Sequence, residues 1–240
     1  VESLTPVGRS HSSFSSVAPR MKPTPSKLFW GKHFWFVIHF VSLTLSLSDF
    51  FRLLALLTAL LPCWECREHL SENIETLKTD PAKTSFSIGY RLHSLVNRLT
   101  GVQLQPSEVA VKSFYSRKGG ITFDQELIFV IRAICFKFDH HKAELKKFLD
   151  LVVPLASYDL QQVLHTYPLA VEYETQADLF FWSYRLGEVY ESRKGGVYEN
   201  WSKFSKEFTE GMSDDVTNAP KVSIGIRLGR LRLPKPARVL

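Results

Sequence analysis

The sequence predicts an all-α protein built from two copies of one helical unit. Three observations carry this. Apolar residues recur at helical spacing, as in Trp30, Phe34, Val37, Ile38 and Val41. Prolines and glycines cut that pattern into segments of helix length. Short strings also return in the same order. FVIH at Phe36–His39 returns as FVIR at Phe129–Arg132, an offset of 93. LLP at Leu60–Pro62 returns as VVP at Val152–Pro154, an offset of 92, and YRL at Tyr90–Leu92 returns at Tyr184–Leu186, an offset of 94. Each match alone carries nothing, but three in order at a near-constant offset mark a repeat.

The elements follow in order. A first helix is expected over about Trp30 to Leu45 and a second over Phe50 to Leu60, ended by Pro62. These two helices account for the apolar run Phe34–Pro62 better than a membrane span. Asp49 and Arg52 break the run well short of the roughly 20 uncharged residues that a span needs. A third helix covers Cys66 to Leu77 and is broken by Pro81, and a fourth covers Thr84 to Leu99 and stops near Gly101. A short fifth follows Pro106-Ser107, where Ser107 and Glu108 form an N-terminal signal. SRKGG, Ser116–Gly120, reads as the linker between the copies. The expected organisation is a disordered segment 1–29, a first unit 30–120, a degenerate second unit 121–212 and a basic disordered tail 213–240.

Composition sets the outer limits. The 240 residues are 45% hydrophobic and 22% charged, which is ordinary globular usage. Three cysteines do not make a disulfide framework. The net charge of +6 is carried by the last twenty residues, through Lys221, Arg227, Arg230, Arg232, Lys235 and Arg238. The body is therefore neutral and offers no basic nucleic-acid surface, whereas the tail suits an anionic partner. The first 29 residues are rich in Ser and Pro and lack the apolar stretch of a secretory signal peptide. They support no localisation.

The chemistry concentrates in copy one. Pro62 ends one helix and Cys63 opens the next, with Cys66 one turn on. A helix N-terminus lowers a thiol pKa, and this spacing allows a local disulfide, so a redox pair is one reading. A zinc site would need two more ligands, from His69, His93 or Cys135. Inert burial is the third reading, and it is the expected one for Cys135. His140 and His141 are expected to face solvent. In the first helix Trp35 and His39 share a face, and in the fourth His93 and Asn97 do. Two such faces suit a flat aromatic ligand between helices, and a flavin is the natural electron acceptor for a dithiol. Copy two places Arg132 at His39, Gly187 at His93, and Leu155 and Tyr158 at the cysteines.

These residues resemble the Erv/ALR family of FAD-dependent sulfhydryl oxidases. The motifs are Trp30-Gly31 with Trp35 and His39; Pro62-Cys63, Cys66-Arg67 and His69; and His93, Val96-Asn97-Arg98 and Gly101. The resemblance covers about Lys27 to Gly120. It implies a four-helix bundle with a short fifth helix holding FAD at its mouth, followed here by a degenerate second bundle packed as a pseudo-dimer. It implies that Cys66 is the flavin-proximal sulfur and that Cys63 exchanges with a dithiol-containing protein substrate, with O₂ reduced to H₂O₂. Trp30, Gly31, His33, Trp35, His39, His93, Val96, Asn97, Arg98 and Tyr115 would contact FAD. Homo-oligomers are common in the family. The chain departs from the pattern at Ser94, at Tyr90, and at Ser113, where a tryptophan is usual and Phe114 or Tyr115 must substitute. Neither tail carries a shuttle CxxC. The alternative is a non-catalytic helical interaction module whose CxxC is a relic or a zinc ligand pair.

Overall fold

The structure is a computed structural model that describes residues 24–81, 84–101, 105–137, 141–169, 173 and 175–213. All of its regular structure is helical. The helices are α1 (Pro25–Ser42), α2 (Leu47–Leu60), α3 (Trp64–Lys78), α4 (Ser85–Thr100), α5 (Glu108–Ser116), α6 (Gly120–Phe136), α7 (Lys142–Val152), α8 (Tyr158–Thr166), α9 (Gln176–Arg193) and α10 (Trp201–Met212), with a 3-10 turn at Val153–Leu155. No helix among the described residues is long and apolar enough to cross a membrane. The tail from 214 onward lies outside the described residues.

Side-chain caps set most starts. Ser46, Thr84 and Ser107 each accept the backbone N–H three residues on, at 3.1, 3.1 and 3.3 Å. Gly101 closes α4 in the left-handed region at φ 77°, which only glycine reaches without strain. The first helix begins earlier than its apolar pattern implies. Thr24 caps it and proline fills its first position, where a missing N–H costs nothing. Residues 25–29, expected to be disordered, are therefore helical.

Two helices form the centre. α1 buries Trp30, Phe34, Phe36, Val37, Ile38 and Val41, and α6 buries ten residues from Phe123 to Phe136. A helix apolar on most sides must be enclosed by others. α1 and α6 cross antiparallel: Phe29 meets Phe129 at 5.3 Å, and Phe40 stacks on Phe123 at 4.4 Å. α4, α5 and α10 pack on α1, α9 packs on α6, and α2 packs on both α3 and α7. One continuous apolar core runs from Trp30 to Met212.

The two halves repeat particular contacts. Tyr90 donates its hydroxyl to the Pro106 carbonyl at 2.9 Å, and Tyr184 donates to the Glu199 carbonyl at 2.7 Å. Each bond ties the long fourth helix of its half to the approach of the fifth. The register around the cysteines differs from the sequence expectation. Cys63 is the N-cap of α3 and Ser157 is the N-cap of α8, so Ser157, not Leu155, stands opposite Cys63. Leu160 rather than Tyr158 stands opposite Cys66. The physical reason is the 3-10 turn at Val153–Leu155, which lengthens the α7–α8 connection.

Candidate functional site

The α3 N-terminus carries the sulfur pair. Cys63 is extended (φ −117°, ψ 121°) and its Sγ accepts the Cys66 N–H at 3.3 Å. The two residues form a disulfide with their Cα atoms 5.2 Å apart. Both are half-buried against the core, while Trp64 between them is 65% exposed. Arg67 donates to the Leu61 carbonyl at 2.6 Å, bracing the turn before the pair. Lys27 pairs with Glu65 at 3.0 Å, which brings the start of α1 to the sulfurs. Trp30 and Gly31 are one turn along from Lys27, about 5 Å by helical rise.

Two turns further, α1 meets α4. The helices run antiparallel, as Ser85 bonded to the Leu45 carbonyl (2.8 Å) and His93 bonded to His39 require. The Trp35 and His93 rings lie flat on each other, 3.9 Å apart at 6°. The His39 Nε2 and His93 Nδ1 atoms are 2.9 Å apart, and Tyr115 stacks on His39 at 4.9 Å. His39 is buried, and its Nδ1 has no hydrogen-bond partner among the described residues. Burial, and then the neighbouring His93, pulls the His39 imidazole down to about 3. Burial pulls His93 down to about 4. Both rings are therefore neutral at pH 7 and present aromatic faces and single N–H groups rather than charge. Burial, and then Glu126, pushes the Tyr115 phenol up to about 12.

The structure thus brings together Trp35, His39, His93 and Tyr115. Tyr115 turns inward while Phe114 stays exposed under Lys118. Trp30 is buried edge-on to Phe34. Val96 and Asn97 are half-buried, one turn beyond His93 towards the α3 end, and Arg98 is exposed. His33 points elsewhere: it bonds Glu126 of α6 and stacks on Phe129 at 3.6 Å. Nothing in the local pattern around His33 announces Glu126, which is 93 residues away. His69 is half-buried on α3. Cys135 is fully buried in α6, where burial pushes its thiol up. Among the described residues, no group of three or more His, Cys, Asp or Glu side chains is placed to hold a metal ion. His141 is half-buried and 3.7 Å from Glu144, and His140 lies outside the described residues.

A cavity of about 310 Å³ lies at the opposite end of α1, lined by Ser42, Leu45, Thr84, Phe86 and Lys112 among others. It is not beside the cysteines. The flat Trp35–His93 pair and the orphaned His39 Nδ1 lie where α1 meets α4, and the space beside Gly31 is open. Position 39 has a different fate in the second half. Arg132 lies over the Tyr198 and Phe204 rings at 5.4 and 5.1 Å, bonds the Tyr198 hydroxyl and reaches the Ser183 carbonyl at 3.4 Å. The guanidinium occupies the space that a side chain at Gly187 would need.

The site is a disulfide-bonded cysteine pair at a helix N-terminus, with neutral, stacked aromatic rings further along α1. No protein-family model, no curated protein and no solved structure matches this chain.

Proposed function

We propose that the chain is a flavin-dependent thiol oxidase that makes disulfides in dithiol substrates. The observation that carries the reading is the Cys63–Cys66 disulfide capping α3, joined through Lys27–Glu65 to the helix that bears Trp35 and His39. FAD, when bound, supplies the two-electron acceptor that passes electrons to O₂ and yields H₂O₂. Trp35 and His93 offer it a stacking face, His39 Nδ1 a hydrogen-bonding atom, and Tyr115 a second aromatic wall.

The chain's own chemistry is exchange. A substrate thiolate attacks Cys63 Sγ, the Cys63–Cys66 bond breaks, and Cys66 leaves as a thiolate. The α3 N-terminus favours thiolate at the pair, with the Cys66 N–H aimed at Cys63 Sγ. A second substrate thiol then displaces Cys63 from the mixed disulfide. The substrate loses two electrons and forms its disulfide, and the pair holds both electrons as a dithiol.

The fold reading that goes with this is a bundle of α1–α4 with α5 across it, and a second bundle of α6–α9 with α10. The equivalent α1 and α6 cross antiparallel, as a two-fold interface between like subunits would. The second bundle then serves as a pseudo-subunit.

The test is the visible absorption spectrum of the purified full chain, before and after dithiothreitol, with oxygen uptake recorded. A flavin spectrum that bleaches without oxygen and recovers with it is expected. A colourless chain that takes up no added FAD would overturn the reading.

A further inference from the structure

The second half keeps a buried carboxyl group that the proposed reaction does not use. Asp124 on α6 is fully buried. It accepts the Ser157 backbone N–H at 2.9 Å, the Ser157 hydroxyl, and the Tyr190 hydroxyl at 2.7 Å. Lys194 in turn donates to the Tyr190 hydroxyl. Three helices, α6, α8 and α9, are thus tied at one point.

The repeat says what that point is. With the 93-residue offset of FVIH and FVIR, Asp124 stands at Gly31. Ser157 stands at Cys63, since both cap the third helix of their half and accept the N–H three residues on. With the 94-residue offset of YRL, Tyr190 stands at Val96. The mapping is spatial as well as sequential, because the 39/93 pair touches as His39–His93 and the 132/187 pair touches as Arg132–Gly187. The positions bolted together in the second half therefore correspond, through the repeat, to Gly31, Cys63 and Val96 in the first. There the bolt is missing. Among the described residues, no atom outside the glycine's own surroundings comes within 4 Å of where a Cβ on Gly31 would sit.

We infer that Asp124, Ser157 and Tyr190 are a latch closing in the second half the opening that Gly31, Cys63 and Val96 leave in the first, and that the missing side chain at Gly31 keeps the Cys63 sulfur within reach of a partner's thiol. The role of Cys63 as the exchanging sulfur rests on the proposed function, but its accessibility does not. A carboxylate at position 31 would act twice. It would fill the approach, and its charge would oppose the thiolate on Cys63.

The experiment measures alkylation by N-ethylmaleimide in the full chain, which needs neither flavin nor oxygen. After reduction, Gly31→Asp should slow modification of Cys63 at least about tenfold, and Gly31→Ala only a few-fold. In the other half, a reporter thiol from Ser157→Cys, in a Cys63→Ser/Cys66→Ser background, should be protected while Asp124 is present. It should react at least about tenfold faster with Asp124→Gly. Should Asp124→Gly not fold, the Gly31 pair decides alone. Equal rates for Gly31→Asp and the parent chain, or an unprotected Ser157→Cys reporter with Asp124 intact, overturn the inference. A colourless protein with the expected alkylation pattern would overturn the oxidase reading and leave the latch standing.

Discussion

Cys63 and Ser157 make the same bond in the two halves, one with sulfur and one with oxygen. Each caps a helix, accepting the backbone N–H of Cys66 at 3.3 Å and of Leu160 at 3.4 Å. The cap is therefore a requirement of the fold, and the sulfur is an addition that only the first half carries.

This separates structure from chemistry at one atom. Cys63→Ser should keep the cap and cost little stability, whereas Cys63→Ala should cost about 1 kcal/mol. Chemical denaturation of the reduced proteins measures both. Both changes should abolish thiol-dependent oxygen uptake. Cys66→Ser should also abolish uptake while flavin stays bound; activity in that variant would show that the redox pair is misassigned.

The neutral His39 and His93 set a pH dependence. Their folded values, about 3 and about 4, lie below the ordinary 6.5. The unfolded chain therefore takes up protons first as pH falls. The contribution is complete above pH 6.5 and is lost as pH drops from there towards 4 and 3. Melting temperature against pH should fall across that window, and His39→Phe should flatten the slope.

Gly187→Ala should destabilise, although alanine is the better helix former by about 1 kcal/mol. The added methyl runs into the Arg132 guanidinium, which is held by Tyr198 and by the Ser183 carbonyl. Overpacking of this kind costs about 1–3 kcal/mol. Adding Arg132→Ala should recover part of the loss in urea unfolding, because the clash and its cause go together.

A chain ending at Gly120 should associate in solution. It would bare the α1 face that now meets α6 and α10, including Phe29 and Phe40. Each such ring is worth about 1.5–3 kcal/mol of burial. Light scattering measures the mass; a soluble, monomeric and fully active fragment would remove the case for the second half as a pseudo-subunit.

The sequence by itself determined the all-helical class and, in the first half, the helices and their order. It did so because caps, breakers and apolar spacing act within about four residues: Ser107 starts α5, Gly101 ends α4, and Pro62 separates α2 from α3. It also placed Cys63 and Cys66 within one turn, where spacing alone allows a disulfide. Tertiary structure decided which helix faces meet. His39 reaches His93 across 54 residues, His33 turns to Glu126 instead, and Tyr115 rather than Phe114 comes inward. It also moved Ser157 into register with Cys63, because a 3-10 turn shifts the helix start without changing the local pattern on either side. The latch at Asp124 had no signature, since its members are 33 and 66 residues away. Which residues meet there depends on how whole helices rotate and insert against one another, and no single helix encodes that.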